Sequence, residues 1–135
     1  MLHDVGKVAL PDYILRKPGP LTLEEYTEMR AHPNIGADMV SRIDGLSTIV
    51  PWVRPSHEHW DGTGYPQGLR EARIPVPSRI LLVADALDAM TSERPYRSPM
   101  ELTDALAELE RCAGSQFDPQ CVELLVEALS PVSRR

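Results

Sequence analysis

Residues 78–91 read Ser-Arg-Ile-Leu-Leu-Val-Ala-Asp-Ala-Leu-Asp-Ala-Met-Thr, and this stretch decides the fold. Ile80, Leu81, Ala84 and Leu87 recur at the three-and-four spacing of one helical face, and Ala89 extends it. The run marks Ser78 to about Thr91 as the most buried helix of the chain. Asp85 stands in its middle, between Ala84 and Ala86. A carboxylate there is costly to bury unless it pairs with an arginine or binds a metal.

Outward from this helix the chain stays helical. Upstream, Asp61-Gly62-Thr63-Gly64-Tyr65-Pro66 is a turn-rich loop that continues to about Pro77, with a short ribbon conceivable around Leu69 to Ile74. Ser47 to about Trp60 reads as a helix with Pro51 in its first turn, although Pro55 removes a backbone donor and crowds the turn before it. Ile35, Met39, Val40 and Ile43 mark a helical face after His32-Pro33. Thr22 with Glu25 forms a capping box for a helix to about Arg30. Pro11 to Pro20 reads as a loop, and Met1 to Gly6 as a helix end. Downstream, Ser98 and Pro99 signal a helix start, Gly114 its stop, and Asp118-Pro119 the start of a last helix to about Leu129. No segment alternates as a strand should. The expected class is all-α, one helical domain over residues 1–135.

The sequence has a net charge of -6. That argues against a nucleic-acid polymer as partner, because such proteins neutralise phosphates with clustered cations. It leaves room for a small anion at a metal cluster or an arginine pair. No run reaches the roughly 18–20 apolar residues of a membrane span, and no leader pattern is visible at the start. Cys112 and Cys121 lack zinc-knuckle spacing and read as two free thiols in a reducing compartment, hence the cytoplasm.

The chemistry lies in His and Asp residues on separate elements. His3 and Asp4 are adjacent, so their side chains diverge on a helix. An ionised Asp can still give one oxygen to each of two ions. The adjacent pair alone is a common helix-end feature. Added to it are Lys7, which can reach an anion, His32 at a helix start, His57-Glu58 before the tight loop, and Asp85. Three imidazoles and two carboxylates suit iron, manganese or zinc rather than calcium, and the lack of cysteine argues against a structural zinc site. Two such ions a few ångströms apart activate a bridging water and clamp a phosphoryl oxygen. The reaction class expected is metal-assisted phosphate ester hydrolysis.

Four strings in order then carry a resemblance: His3-Asp4-x-Gly6-Lys7, His32-Pro33-x-x-Gly36-Ala37, His57-Glu58-x-x-Asp61-Gly62-x-Gly64-Tyr65-Pro66, and Ala84-Asp85-x-x-Asp88 through Arg94-Pro95-Tyr96-Arg97. Gly114-x-Gln116-Phe117-Asp118-Pro119 follows. Together they resemble the HD-GYP family of phosphohydrolases over nearly the whole chain. The resemblance implies a helical bundle with two or more divalent ions, iron or manganese, and hydrolysis of cyclic di-GMP to the linear dinucleotide or GMP. It implies His3, Asp4, His32, His57 and Asp85 as metal ligands. Asp4 and Lys7 would be catalytic. Lys7, Gly64, Tyr65, Pro66, Arg94 and Arg97 would meet the substrate. The Gly-Tyr-Pro loop also points to partner domains of the diguanylate cyclase type.

Two departures bear on activity. Ser56 stands where the family has the first of two histidines, and a neutral hydroxyl is a weak ligand by comparison. The family also carries about two helices before its His-Asp pair, so the chain reads as N-terminally truncated, its start as misassigned, or the missing piece as supplied by a partner, with an uncovered apolar face that favours oligomers. The alternative function is a catalytically impaired module that binds cyclic di-GMP or a signalling partner. His59 is expected at the surface, Asp88 as a helix–loop tie, Glu58 as an anchor of the loop backbone, and Arg94 either as a substrate contact or as an ion pair with Asp88 or Glu93.

Overall fold

The computed structural model of the chain describes residues 2–95 and 97–130. Met1, Tyr96 of the arginine motif and residues 131–135 lie outside the described residues. Every regular element within them is a helix, and the bridges Arg94–Arg97 and Ala113–Phe117 are isolated.

A 3-10 helix covers Leu2–Ala9. Then come α1 (Asp12–Leu15), α2 (Leu23–Met29) and α3 (His32–Ser41). A 3-10 turn, Ser47–Ile49, leads into α4 (Val50–Val53). A second turn, Glu71–Arg73, precedes the long α5 (Val76–Thr91), followed by α6 (Leu102–Arg111) and α7 (Pro119–Leu129).

Helices α5, α6 and α7 enclose one core of Leu82, Val83, Met90, Ala105, Leu106, Leu109, Phe117 and Val122. Each Leu, Val, Met or Phe side chain among them contributes about 1.5–3 kcal/mol by leaving water. The Leu2–Ala9 segment packs on α3, where Ala37 and Val40 are fully buried. Ser78 Oγ donates to the Trp52 carbonyl at 2.8 Å and ties α4 to α5. Caps fix two helix starts. Thr22 and Glu25 exchange the bonds of a capping box, and Asp118 accepts from the Gln120 amide at 2.9 Å.

Several expectations need correction. The first segment does not stop at Gly6 but runs to Ala9, because Gly6 serves a close approach rather than a helix end. Pro11–Pro20 is not all loop, since Pro11 precedes a single helical turn. The helix expected over Ser47–Trp60 ends at Val53. Pro55 has no N–H to continue it, and the chain proceeds by three-residue turns in which Ser56 donates to Val53 and Glu58 to Pro55. No ribbon forms at Leu69–Ile74, where Glu71 takes a left-handed φ of 48°. Helix α5 begins at Val76 rather than Ser78, with Pro77 in its first turn. Its inner face is Ser78, Leu82, Val83 and Met90, whereas Ile80 is 54% exposed. In α3 the buried face is His32, Pro33, Gly36, Ala37 and Val40, with Met39 and Ile43 outside. Helix α6 starts at Leu102, after Glu101, rather than at Ser98-Pro99.

Candidate metal centre

Two glycines set the site. A Cβ on Gly6 would collide with the His32 carbonyl and come within 2.6 Å of the Gly36 amide nitrogen. Only at a glycine can the first segment lie this close on the start of α3. That contact carries His3 and Asp4 to His32, the first residue of α3. His57 arrives from the turns after α4, and Asp85 from the middle of α5.

Asp4 divides its carboxylate between two clusters. Its Oδ1 lies 3.3 Å from His32 Nε2 and 3.3 Å from His57 Nε2. Its Oδ2 lies 3.4 Å from His3 Nε2, which is itself 3.5 Å from Asp85 Oδ1. Asp4, His32 and His57 thus form one group of convergent donors, and His3, Asp4 and Asp85 a second. The atoms fit cations. His3 Nε2 is buried without a hydrogen-bond partner. His32 and His57 turn their Nε2 atoms toward each other at 2.9 Å. The Met29 carbonyl, 2.7 Å from His32 Nδ1, can only accept. Neutral His32 therefore holds its proton on Nδ1 and leaves the Nε2 lone pair facing the cluster, as histidine ligands do.

Electrostatics follow this geometry. Burial disfavours the ionised form of Asp4, but His3, His32, His57 and the Lys7 ammonium outweigh it and hold the carboxyl well below its usual range. The Asp4 carboxylate raises the pKa of His3, burial opposes it, and Asp85 adds to the rise. Lys7 Nζ lies 3.2 Å from Asp4 Oδ2.

The loop after His57 is anchored from beneath. Glu58, 2% exposed, accepts from the Gln67 amide at 2.7 Å and the Leu69 amide at 3.0 Å. A Cβ on Gly64 would stand 2.7 Å from the Glu58 carbonyl carbon, so only glycine fits. The Tyr65–Pro66 peptide is cis. Tyr65 stacks on His57, with ring centroids 5.2 Å apart and planes 6° from parallel. Burial pushes its phenol up to about 12. The turn between α6 and α7 braces the same loop: the Gln116 and Ser115 carbonyls accept from the Trp60 and Asp61 amides at 3.1 and 2.9 Å. Arg79 completes the brace, its guanidinium over Trp60 at 5.5 Å and 3.1 Å from Asp118.

The structure gathers His3, Asp4, Lys7, His32, His57 and Asp85 together, with Tyr65 against them. It does not bring Arg94 and Arg97 into the cluster. They sit on the loop after α5, around a surface depression with Glu93 and Pro95, and Arg97 Nη2 approaches Met100 Sδ at 2.9 Å. Among the described residues no carboxylate pairs with Arg94, and Asp88 instead accepts from the Ser92 hydroxyl at 3.0 Å. His59 is half-buried rather than at the surface, its Nδ1 3.2 Å from Thr63 Oγ1, and burial lowers its pKa. Ser56 is buried, and its hydroxyl has no hydrogen-bond partner. Tyr26 and Arg30 were not legible as site residues. Arg30 lies over both the Tyr26 ring, at 5.7 Å, and the Tyr65 ring, at 5.3 Å.

A family model described as HD domain matches residues 1–121. The chain belongs to the HD domain family, in its HD-GYP group. It is 44% identical over 128 residues to a cyclic di-GMP phosphodiesterase of Thermotoga maritima, a match that covers 93% of this chain and 35% of that protein. The cyclic di-GMP phosphodiesterase response regulator RpfG of Xanthomonas campestris is 43% identical over 129 residues, covering 93% and 34%. The 3'3'-cGAMP-specific phosphodiesterase 2 of Vibrio cholerae is 41% identical over 128 residues, covering 93% and 24%. The chain therefore spans about a third or less of these relatives' length. Its fold matches the crystal structure of V-cGAP3 of V. cholerae with a TM-score of 0.71 at 20% identity, covering 97% of this chain and 36% of that one. It also matches Bd1817 of Bdellovibrio bacteriovorus with a TM-score of 0.67 at 22% identity, covering 94% and 40%.

Proposed function

We propose that this chain is the metal-binding part of a phosphodiesterase that hydrolyses cyclic di-GMP to the linear dinucleotide or GMP. The observation that carries the reading is the divided carboxylate of Asp4. One oxygen faces two imidazoles and the other faces a third, as a bridge between two ions requires. The names of the relatives support the substrate class. Asp4 would bridge, His3 and Asp85 would complete one ligand set, and His32 and His57 the other. Iron or manganese suits this nitrogen–oxygen set.

When bound, such ions supply Lewis acidity that activates water and neutralises phosphoryl oxygens. The chain's residues do the rest. The Met29 carbonyl holds His32 in its ligating tautomer. Lys7 can exchange its contact with Asp4 for a phosphoryl oxygen and stabilise the charge that builds there. Glu58 and Gly64 fix the loop that presents Tyr65 and Pro66 beside the cluster. Arg94 and Arg97, on the loop after α5 and outside the cluster, would have to be reached by the far part of the substrate to take its guanine or phosphate groups. In the reaction a water oxygen bonds to phosphorus, the bond from phosphorus to a ribose oxygen breaks, and that oxygen gains a proton. A cytoplasmic setting, a diguanylate cyclase-type partner at the loop and a homo-oligomer through the exposed face of Val76, Ile80 and Leu124 belong to the same reading. No helix among the described residues is long and apolar enough to cross a membrane.

One observation favours the second reading, an impaired binding module: Ser56, where the family has a histidine, offers only a hydroxyl. Elemental analysis of the protein loaded anaerobically with iron or manganese, followed by turnover assays with cyclic di-GMP and 3'3'-cGAMP, separates the two. Two ions per chain with cyclic di-GMP hydrolysis supports the enzyme. One ion or none, with binding but no turnover, supports the module. Faster turnover of 3'3'-cGAMP would reassign the substrate.

A further inference from the structure

His57, Tyr65 and Arg30 form a layered column. The imidazole and phenol rings are parallel, 5.2 Å apart, and the guanidinium carbon lies 5.3 Å from the centre of the Tyr65 ring. Tyr26 steadies the outer layer. It meets Tyr65 edge-on at 6.3 Å, and Arg30 lies 5.7 Å from its ring centre as well. Arg30 follows directly on α2, two positions before His32 at the start of α3, and is exposed. Its position is thus fixed by two aromatic rings while, among the described residues, its side chain makes no hydrogen bond or ion pair. Cation–π contacts act on the charge of a guanidinium and do not consume the N–H donors on its edge. That edge is a planar fork of N–H donors, matched to two oxygens of one phosphate.

From this juxtaposition we infer that Arg30 is a substrate-binding residue that grips the second, non-reacting phosphodiester of a cyclic dinucleotide. The inference rests on the phosphodiesterase reading above. A cyclic dinucleotide carries two phosphodiesters on one ring. While one sits at Asp4 and Lys7, the other needs a cation a short distance away, and Arg30 is one ring removed from His57. The assignment makes Arg30 a specificity residue. It separates ligands with two phosphodiesters from those with one phosphate.

The test compares the protein with its Arg30→Ala and Arg30→Lys variants in three measurements: affinity for cyclic di-GMP, affinity for GMP, and metal content after loading. The expected result is a cyclic di-GMP Kd raised tenfold or more in Arg30→Ala and partly restored in Arg30→Lys, with GMP affinity and metal content unchanged. An unchanged Kd for cyclic di-GMP overturns the inference. So does an equal loss for GMP, or a parallel loss of metal, which would make Arg30 a brace for Tyr65 and His57. Turnover is scored separately. Hydrolysis by the parent protein with no Arg30 effect on affinity leaves the enzyme reading standing and removes Arg30. Binding that depends on Arg30 without turnover does the reverse.

Discussion

The phenol ring of Tyr65 lies parallel to the imidazole of His57, 5.2 Å from it and inclined by 6°. The stack orients an imidazole whose Nε2 faces Asp4. Groups that orient a ligand typically change metal affinity 10–100-fold when removed. Tyr65→Ala is therefore expected to weaken binding of manganese about tenfold by calorimetry. Tyr65→Phe keeps the stack and should bind as the parent does. With its phenol pushed up to about 12, the Tyr65 hydroxyl stays protonated between pH 6 and 9, so neither variant should alter the pH dependence of binding there.

Asp4 and Asp85 are both carboxylates of the cluster, yet their geometry gives them different weights. Asp4 belongs to both donor groups and Asp85 to one. Asp4→Asn is expected to abolish stoichiometric loading, and Asp85→Asn to leave one ion on His32, His57 and Asp4. Elemental analysis of both loaded variants measures this. Equal residual content in the two would show that Asp4 does not bridge.

Glu58 accepts from two loop amides while almost wholly buried. Glu58→Ala leaves both donors without a partner, at about 1–3 kcal/mol each. A lowered thermal midpoint, with a larger loss in Glu58→Ala than in Glu58→Gln, is expected by calorimetry. The amide of the Gln variant retains one acceptor oxygen.

The comparison of sequence with structure turns on contact range. The helix of residues 78–91, the Thr22 capping box and the Asp118-Pro119 start are local signals, and they were legible because capping and periodicity act within a few residues. Ile80 misled because its apolar character fits a buried face, and the sequence does not state which side of α5 faces α6. Pro55 carried its own warning, and it did end the helix. The donor residues were legible as a set by their types and order. The divided Asp4 carboxylate was legible only as a capacity of the side chain, because the approach of Gly6 to Gly36 that creates it is a contact between distant segments. Tyr26 and Arg30 left no signal, since a tyrosine and an arginine near a helix end are ordinary. Only the fold brings them to Tyr65.

Cys121 offers a pH test away from the metal centre. Burial, with Asp118 beside it, pushes its thiol up to about 11, above the ordinary value of about 8.5. The thiolate is the reactive form, and it becomes abundant only as pH rises through that raised value. In a Cys112→Ser background, alkylation by iodoacetamide should be slow at pH 8 and rise about tenfold per pH unit toward pH 10. A plateau near pH 9 would refute the raised value.

Ser56 supplies the last test, because its buried hydroxyl has no hydrogen-bond partner. An unsatisfied buried hydroxyl costs about 1–3 kcal/mol, and alanine removes it with little change in volume. Ser56→Ala is therefore expected to raise stability by about 1 kcal/mol in the metal-free protein and to leave the loaded metal content as it was. Two roles for Ser56 diverge here. If Ser56 itself served as a metal ligand, the alanine variant would lose metal, and the gain in stability would vanish on loading. A stabilised variant with full metal content shows instead that this position has left the metal centre, and that His3, Asp4, His32, His57 and Asp85 hold their ions without it.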